Sequence, residues 1–238
     1  MDGPGANGVR AIGAALIGFA VAFNLPYAWL AAHFDYPAVL RNPPGAILQA
    51  FAAGGTPLTL AWAAFALAAL LFAPVSLGVA AVTRRPDHSA SAVAAIGVAA
   101  GVTQAIGLSR WVYAVPGLAA AWAAGSDAAA RAPVETTFLA LHQFAGVGIG
   151  EAIGQSLTAL WLILVAAAQW RHPRFGAAVA VVALLAGLTL LLGLPEGLAT
   201  VVPFDASAFG LAAPIGFLLL TIWMIWTGVL CILRPRPL

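Results

Sequence analysis

The stretch LALHQFAGVGIGEAIGQSLTALWLILVAAAQW, Leu139 to Trp170, decides how this chain is read. Its second half is a run of plain apolar residues of the kind that crosses a membrane. Its first half sets His142, Gln143, Glu151 and Gln155 among glycines at positions 146, 148, 150 and 154. A carboxylate near hydrocarbon depth is costly to keep there, so such a residue marks a functional site by default.

The rest of the chain agrees with a membrane setting. It has 238 residues, of which 63% are hydrophobic and only 8% charged, and its mean hydropathy is +0.99. A soluble domain carries about 25% charged residues because water must solvate its surface, and this chain offers no such surface. The sequence pI of about 9.2 comes from ten arginines and no lysine, spread over loop ends. Nucleic-acid binding would need them gathered on one solvated face, so no nucleic-acid partner is expected. The single cysteine, Cys231, lies in an apolar run. It excludes an intrachain disulfide and makes a thiolate zinc site untenable.

A helix needs about 20 mainly apolar residues to cross the hydrocarbon. Six stretches qualify: Ala11–Ala32, Pro57–Val82, Ala90–Val112, Gly150–Trp170, Gly176–Leu194 and Leu211–Leu233. The first is too long for the apolar region of a signal peptide and reads as an uncleaved span. With six crossings, Arg10, Arg84, Arg85, Arg171, Arg174, Arg234 and Arg236 fall on one side, and Arg41, Arg110 and Arg131 on the other. The positive-inside rule then places both termini in the cytoplasm. The expected fold is an all-α polytopic bundle of six transmembrane helices, a single domain over residues 1–238. Two outer loops are expected to carry short interfacial helices: Phe34–Gly55, where Pro44 suits a first helical turn, and the alanine-rich Val115–Pro133 with Trp122.

Depth singles out the polar residues. Counted from the cytoplasmic arginines, His33, Arg110, His142, Glu151 and Glu196 reach the outer third. Glu151 precedes Arg171 by twenty residues, roughly 30 Å at 1.5 Å per residue. Arg110 reaches the same level from the opposite direction and is the expected partner of Glu151, with His33 second. Gln155 and Thr158 continue the polar stripe on span four, and Gln104 lies on span three. Glu196 follows Pro195 and reads as a solvated loop carboxylate. The candidate ligand-binding residues are therefore His142, Glu151, Arg110, Gln155, Gln104 and His33. On a continuous α-helix His142 and Glu151, nine residues apart, point about 180° from each other; a break in the intervening GVGIG would bring them together. The sequence leaves both arrangements open. Small residues at four-residue spacing, Gly97 and Gly101 on span three and Gly146, Gly150 and Gly154 on span four, predict close packing of these two spans.

At LHQFAGVGIGE (141–151), FDYPAVLR (34–41) and AGGTPLTLAWAAFALAALLFAPVSL (53–77) the chain resembles bacterial six-span proteins of the domain of unknown function 4386 family. The resemblance runs from about Asp35 to the C-terminus and is carried by Leu141, His142 and Gly146 and by hydropathy. It implies the architecture and a bacterial membrane, and it brings no activity with it; the cytoplasmic membrane is the expected location.

Catalytic signatures are sparse. GVGIGE follows no strand and the chain has no Walker lysine, so it is no nucleotide fingerprint. Gly107-Leu108-Ser109-Arg110 is half of a serine-hydrolase elbow, with Trp111 where the second glycine belongs. No histidine pair has metal-ligand spacing, and no metal or cofactor is expected. The favoured expectation is a protein that binds or moves a lipid or other amphipathic small molecule in an outward-facing crevice. The alternatives are a membrane enzyme using Glu151 or His142 for acid–base chemistry on a lipophilic substrate, and a structural or regulatory subunit.

Overall fold

The computed structural model describes residues 4–84 and 90–235; Arg85 and Arg236, counted above on the cytoplasmic side, lie outside the described residues. Among the described residues there are eight α-helices: α1 (Ala6–Phe34), α2 (Pro44–Val82), α3 (Ala90–Tyr113), α4 (Val115–Ala124), α5 (Ala128–Leu141), α6 (Gly154–Gln169), α7 (Ala177–Leu198) and α8 (Ala212–Leu233). A π-helix, His142–Ile153, joins α5 to α6, so that Ala128–Gln169 is one helical rod. Among the described residues six helical segments are long and apolar enough to cross a membrane, which makes the chain a multi-span membrane architecture.

The spans close into a ring. Each packs on the next, α1 on α2, α2 on α3, α3 on α6, α6 on α7 and α7 on α8, and α8 returns to α1. Close approach at the last seam depends on two glycines: a Cβ on Gly13 would lie 2.6 Å from the Gly228 carbonyl oxygen. Arg174, in the turn before α7, clasps this end of the ring. Its Nε donates to the Arg234 carbonyl (3.0 Å) and its Nη1 to the Val82 carbonyl (3.2 Å), two of the carbonyls that helix ends leave without intrahelical partners. Among the described residues the arginines divide by end as the sequence reading requires, with Arg41, Arg110 and Arg131 at the end opposite the termini.

Several boundaries differ from expectation. The fourth span is helical from Ala128, twenty-two residues ahead of Gly150, because Asp127 caps α5 by accepting from the Ala130 N–H at 2.9 Å. Pro44 does start a helix. That helix runs into the second span through a kink at Gly55, whose φ of 56° with ψ of −150° only glycine adopts readily. The alanine-rich loop forms α4, tied to α5 by Trp122 Nε1 donating to Glu135 (2.7 Å) and by the Arg131 guanidinium lying 4.5 Å from the Trp122 ring.

Two apolar clusters fill the bundle. One seals the end near the termini with Leu16, Phe72, Val79, Trp161, Leu190 and Trp223. The other gathers Leu30, Phe34, Leu48, Trp62, Trp111 and Phe138 at the far end, to one side of the ring axis. Trp62 and Trp111 stack there with centroids 4.7 Å apart, both fully buried. Between the two clusters the ring is not filled.

The glycine ridge packs only partly as its spacing suggests. Gly146, Gly150 and Gly154 do meet α3, at Arg110, Gly107 and Gln104 respectively. Gly101 faces the backbone of α2 at Ala69 and Ala73, and Gly97 meets Ser76 of α2 together with Trp161 of α6. The glycine on α3 that receives span four is Gly107, where a Cβ would lie 2.6 Å from the Gly150 Cα.

Candidate functional site

The unfilled space is a cavity of about 390 Å³ at the end opposite the termini. All six spans contribute to its wall. Phe23, Phe65, Phe217 and Leu218 supply apolar surface, while Asn24, Gln104 and Gln155 supply amides and Tyr27 and Tyr36 hydroxyls; Arg41, Arg110, Glu151 and Glu196 bring the charges.

Arg41 organises the charged rim. It ends a short 3-10 helix, Ala38–Arg41, whose Val39 and Leu40 are buried and hold the loop down over the bundle. Its approach is set by Asp35, which ends α1 in the left-handed region at φ 52° with its N–H on the Leu30 carbonyl. From there Arg41 Nη2 reaches Glu151 Oε2 at 2.9 Å and Nε reaches Glu196 Oε1 at 3.3 Å. Burial works against the Arg41 charge, but the two carboxylates more than offset it, and its pKa is raised. The expected Glu151–Arg110 pair is therefore replaced by Glu151–Arg41, and Glu196 is an ion-pair partner rather than a solvated loop carboxylate. The path of the loop explains the difference: the turn at Asp35 and the buried Val39 and Leu40 fold Arg41 back to a depth that counting along a helix does not assign to it.

Arg110 is buried in the cavity wall at 7% exposure. Its Nη1 donates to the Gly107 carbonyl, its Nη2 lies 3.5 Å from His142 Nδ1, and Glu151 is near enough to attract it electrostatically. The guanidinium passes over Gly146, where any side chain would collide with it. His142 is buried behind Arg110, stacked on Phe138 with centroids 5.4 Å apart, and does not line the cavity. The π-helix explains this grouping. Its i→i+5 bonding takes more residues per turn than an α-helix, so nine residues make roughly two full turns. His142 and Glu151 therefore flank Arg110 instead of pointing apart, and the glycine run, a weak α-helix former, accommodates the wider coil.

Deeper in the cavity, Gln155 Nε2 donates to the Leu190 carbonyl (2.6 Å) and Gln104 Nε2 to Thr158 Oγ1 (2.6 Å). Asn24 Nδ2 bridges α1 to α8 through Thr221 Oγ1 (3.0 Å) and also donates to the Ala20 carbonyl, not to the Ala22 carbonyl that Pro26 deprives of its helical donor. Gln143 lies off the cavity, accepting from Thr200 Oγ1 at 3.0 Å. His33 is exposed, stacked on Trp29 and bonded through Nδ1 to the Trp29 carbonyl. Of the six candidate residues the structure thus gathers Arg110, Glu151, Gln104 and Gln155 on one cavity, places His142 directly behind it, and leaves His33 apart. The sequence reading missed Arg41, Tyr36 and Tyr27. Tyr36 and Arg41 lie in FDYPAVLR, one of the segments that carry the family resemblance. Burial, with Glu151 nearby, pushes the Tyr36 hydroxyl above its ordinary pKa, so it stays protonated and able to donate.

The rim supports a first expected result. Arg41→Gln leaves Glu151 and Glu196 sharing a site with no counter-ion between them. Side-chain exposures of 30–31% put the cost between the exposed and buried limits, at about 1–2 kcal/mol. Glu151→Gln alone costs less, because Arg41 keeps Glu196. A double-mutant cycle by thermal unfolding in detergent should give clear coupling for Arg41 with Glu151 and a smaller one for Arg110 with Glu151. The reverse order would place the pair where the sequence put it.

No curated protein and no solved structure matches the chain. One family does: the match covers residues 11–228, nearly the whole chain and every residue of the cavity wall. The chain belongs to the family described as a domain of unknown function, DUF4386.

Proposed function

We propose that the chain is a bacterial cytoplasmic-membrane protein, with both termini in the cytoplasm, that binds or moves a lipid or other amphipathic small molecule in its cavity. The observation that carries this reading is the division of the cavity wall: aromatic and aliphatic surface from Phe23, Phe65, Phe217 and Leu218 meets a charged rim of Arg41, Arg110, Glu151 and Glu196. A volume of about 390 Å³ falls within the range of small-molecule sites, about 300–1,000 Å³. Leu218 lines the cavity and is also 58% exposed, which favours access to the space from the side of α8. An amphiphile dissolved in the bilayer would approach from that side.

The acid–base alternative fits less well. Glu151 is held by Arg41, and His142 sits behind Arg110, so neither is free to take a proton from a bound molecule without rearrangement. Native mass spectrometry of the gently purified protein tests the reading: a co-purifying amphiphile, lost when Phe217→Trp and Leu218→Trp fill the cavity, is expected. Bare protein under conditions that keep other membrane proteins lipid-loaded would speak against it. Cysteine labelling should find position 171 on the cytoplasmic side and position 205 on the other; both on one side would overturn the orientation.

A further inference from the structure

We infer that Arg110 is the anchoring cation for an anionic head group, carboxylate or phosphate, of a single-chain amphiphile whose tail lies along Phe23, Phe65, Phe217 and Leu218. This rests on the reading of the cavity given above and assigns the charge class of what it holds.

The inference starts from a charge imbalance. Among the described residues, the cavity wall carries two arginines and two carboxylates. Both carboxylates are at ion-pair distance from Arg41, and neither is from Arg110. Arg110 is more than nine-tenths buried, and its close polar neighbours are a carbonyl of its own helix and a histidine nitrogen at the limit of hydrogen bonding. A buried guanidinium without a carboxylate in contact is expensive, by several kcal/mol once desolvation is counted. Arginine also presents a planar fork that matches carboxylate and phosphate oxygens.

The surroundings suit an anion whose remainder is apolar. Tyr27 and Tyr36 line the same cavity with hydroxyl groups able to donate. His142 supports the guanidinium from behind and stacks on Phe138, and Gly146 leaves the space in which the guanidinium lies. Arg110 is thus fixed on packed helices rather than on a mobile loop, the arrangement that holds a binding group most accurately. The cavity volume is at the small end of ligand sites, which suits one acyl chain.

The test uses the full chain purified in an uncharged maltoside detergent and four probes: oleate, 1-oleoyl lysophosphatidate, 1-monooleoylglycerol and inorganic phosphate. Binding is read by native mass spectrometry and by ligand-dependent thermal stabilisation. Oleate and lysophosphatidate are expected to bind at least about tenfold more tightly than monooleoylglycerol, which has the same tail and no charge. Arg110→Gln should erase that preference while monooleoylglycerol binding persists, and Arg110→Lys should keep part of it. Equal affinity for oleate and monooleoylglycerol in the unaltered chain would overturn the anion and leave the cavity reading standing, a comparison that needs no variant to fold. Survival of the preference in Arg110→Gln would remove Arg110 from the role. Inorganic phosphate competing as well as lysophosphatidate would overturn the amphiphile in favour of a free anion. Binding of none of the four would remove the cavity reading itself, and the inference with it.

Discussion

Gly107→Leu is expected to cost about 3 kcal/mol or more and to prevent α3 from seating against the π-helix. A Cβ at position 107 would lie 2.6 Å from the Gly150 Cα and 3.0 Å from the Ala145 carbonyl oxygen and the Gly150 nitrogen. These are backbone atoms, which cannot swing aside as a side-chain end can. Overpacking a well-filled site costs about 1–3 kcal/mol even where side chains can adjust, and here two helices must move apart. Within a membrane this matters more, because close backbone approach is what holds spans together where the surrounding lipid is as apolar as the protein. Gly18→Ala is the matching control, since nothing lies within 4 Å of the added carbon; it should be neutral or slightly stabilising. Thermal unfolding in detergent checks both, and a Gly107→Leu protein as stable as the parent would mean the α3 contact is drawn in the wrong place.

Trp111→Ala carries the other large effect, about 3–5 kcal/mol by analogy with other buried aromatic truncations. Trp111 is fully buried, stacks on Trp62, and packs against Phe34, Phe51 and Phe138 at centroid separations of 5.6–6.1 Å. The vacated space opens beside the Arg110 guanidinium, 5.1 Å from the Trp111 ring, so amphiphile binding should weaken along with stability. Trp226→Ala, on the lipid face at 39% exposure, should change stability by less than about 0.5 kcal/mol. Equal losses from the two substitutions would contradict the division between the far-end cluster and the lipid-facing surface.

The architecture was legible because its signals are local. Apolar runs of sufficient length mark six spans, Pro44 marks a helix start, and the arginines sort by end. The same logic locates Arg110 and Glu151 at one depth on spans three and four, with Gln104 and Gln155 further in on the same two spans. It stopped where the answer depends on which element lies opposite. Spacing put Gly97 and Gly101 on one helix face, but α2 occupies much of that face in the folded chain, and the partner of Gly150 was Gly107, outside the four-residue pattern. Depth counting matched Glu151 with Arg110 because both lie on spans; it gave no depth to Arg41, which a left-handed turn at Asp35 and the buried Val39 and Leu40 carry back over the cavity. The relation of His142 to Glu151 hinged on helix pitch. A glycine run permits several pitches, and which one forms, the π-helix packed on α3 at Gly107 and Arg110, is not written in its local sequence.

Photocrosslinking tests the central claim most directly. The protein is reconstituted in bilayers with oleate bearing a diazirine near its tail end, irradiated, and mapped by peptide mass spectrometry. Adducts concentrated on Phe65, Phe217 and Leu218, and suppressed by excess oleate, are the predicted result. Adducts confined to lipid-facing residues such as Leu60 and Leu192, 63% and 56% exposed, and unaffected by competition, would contradict a cavity that holds an amphiphile.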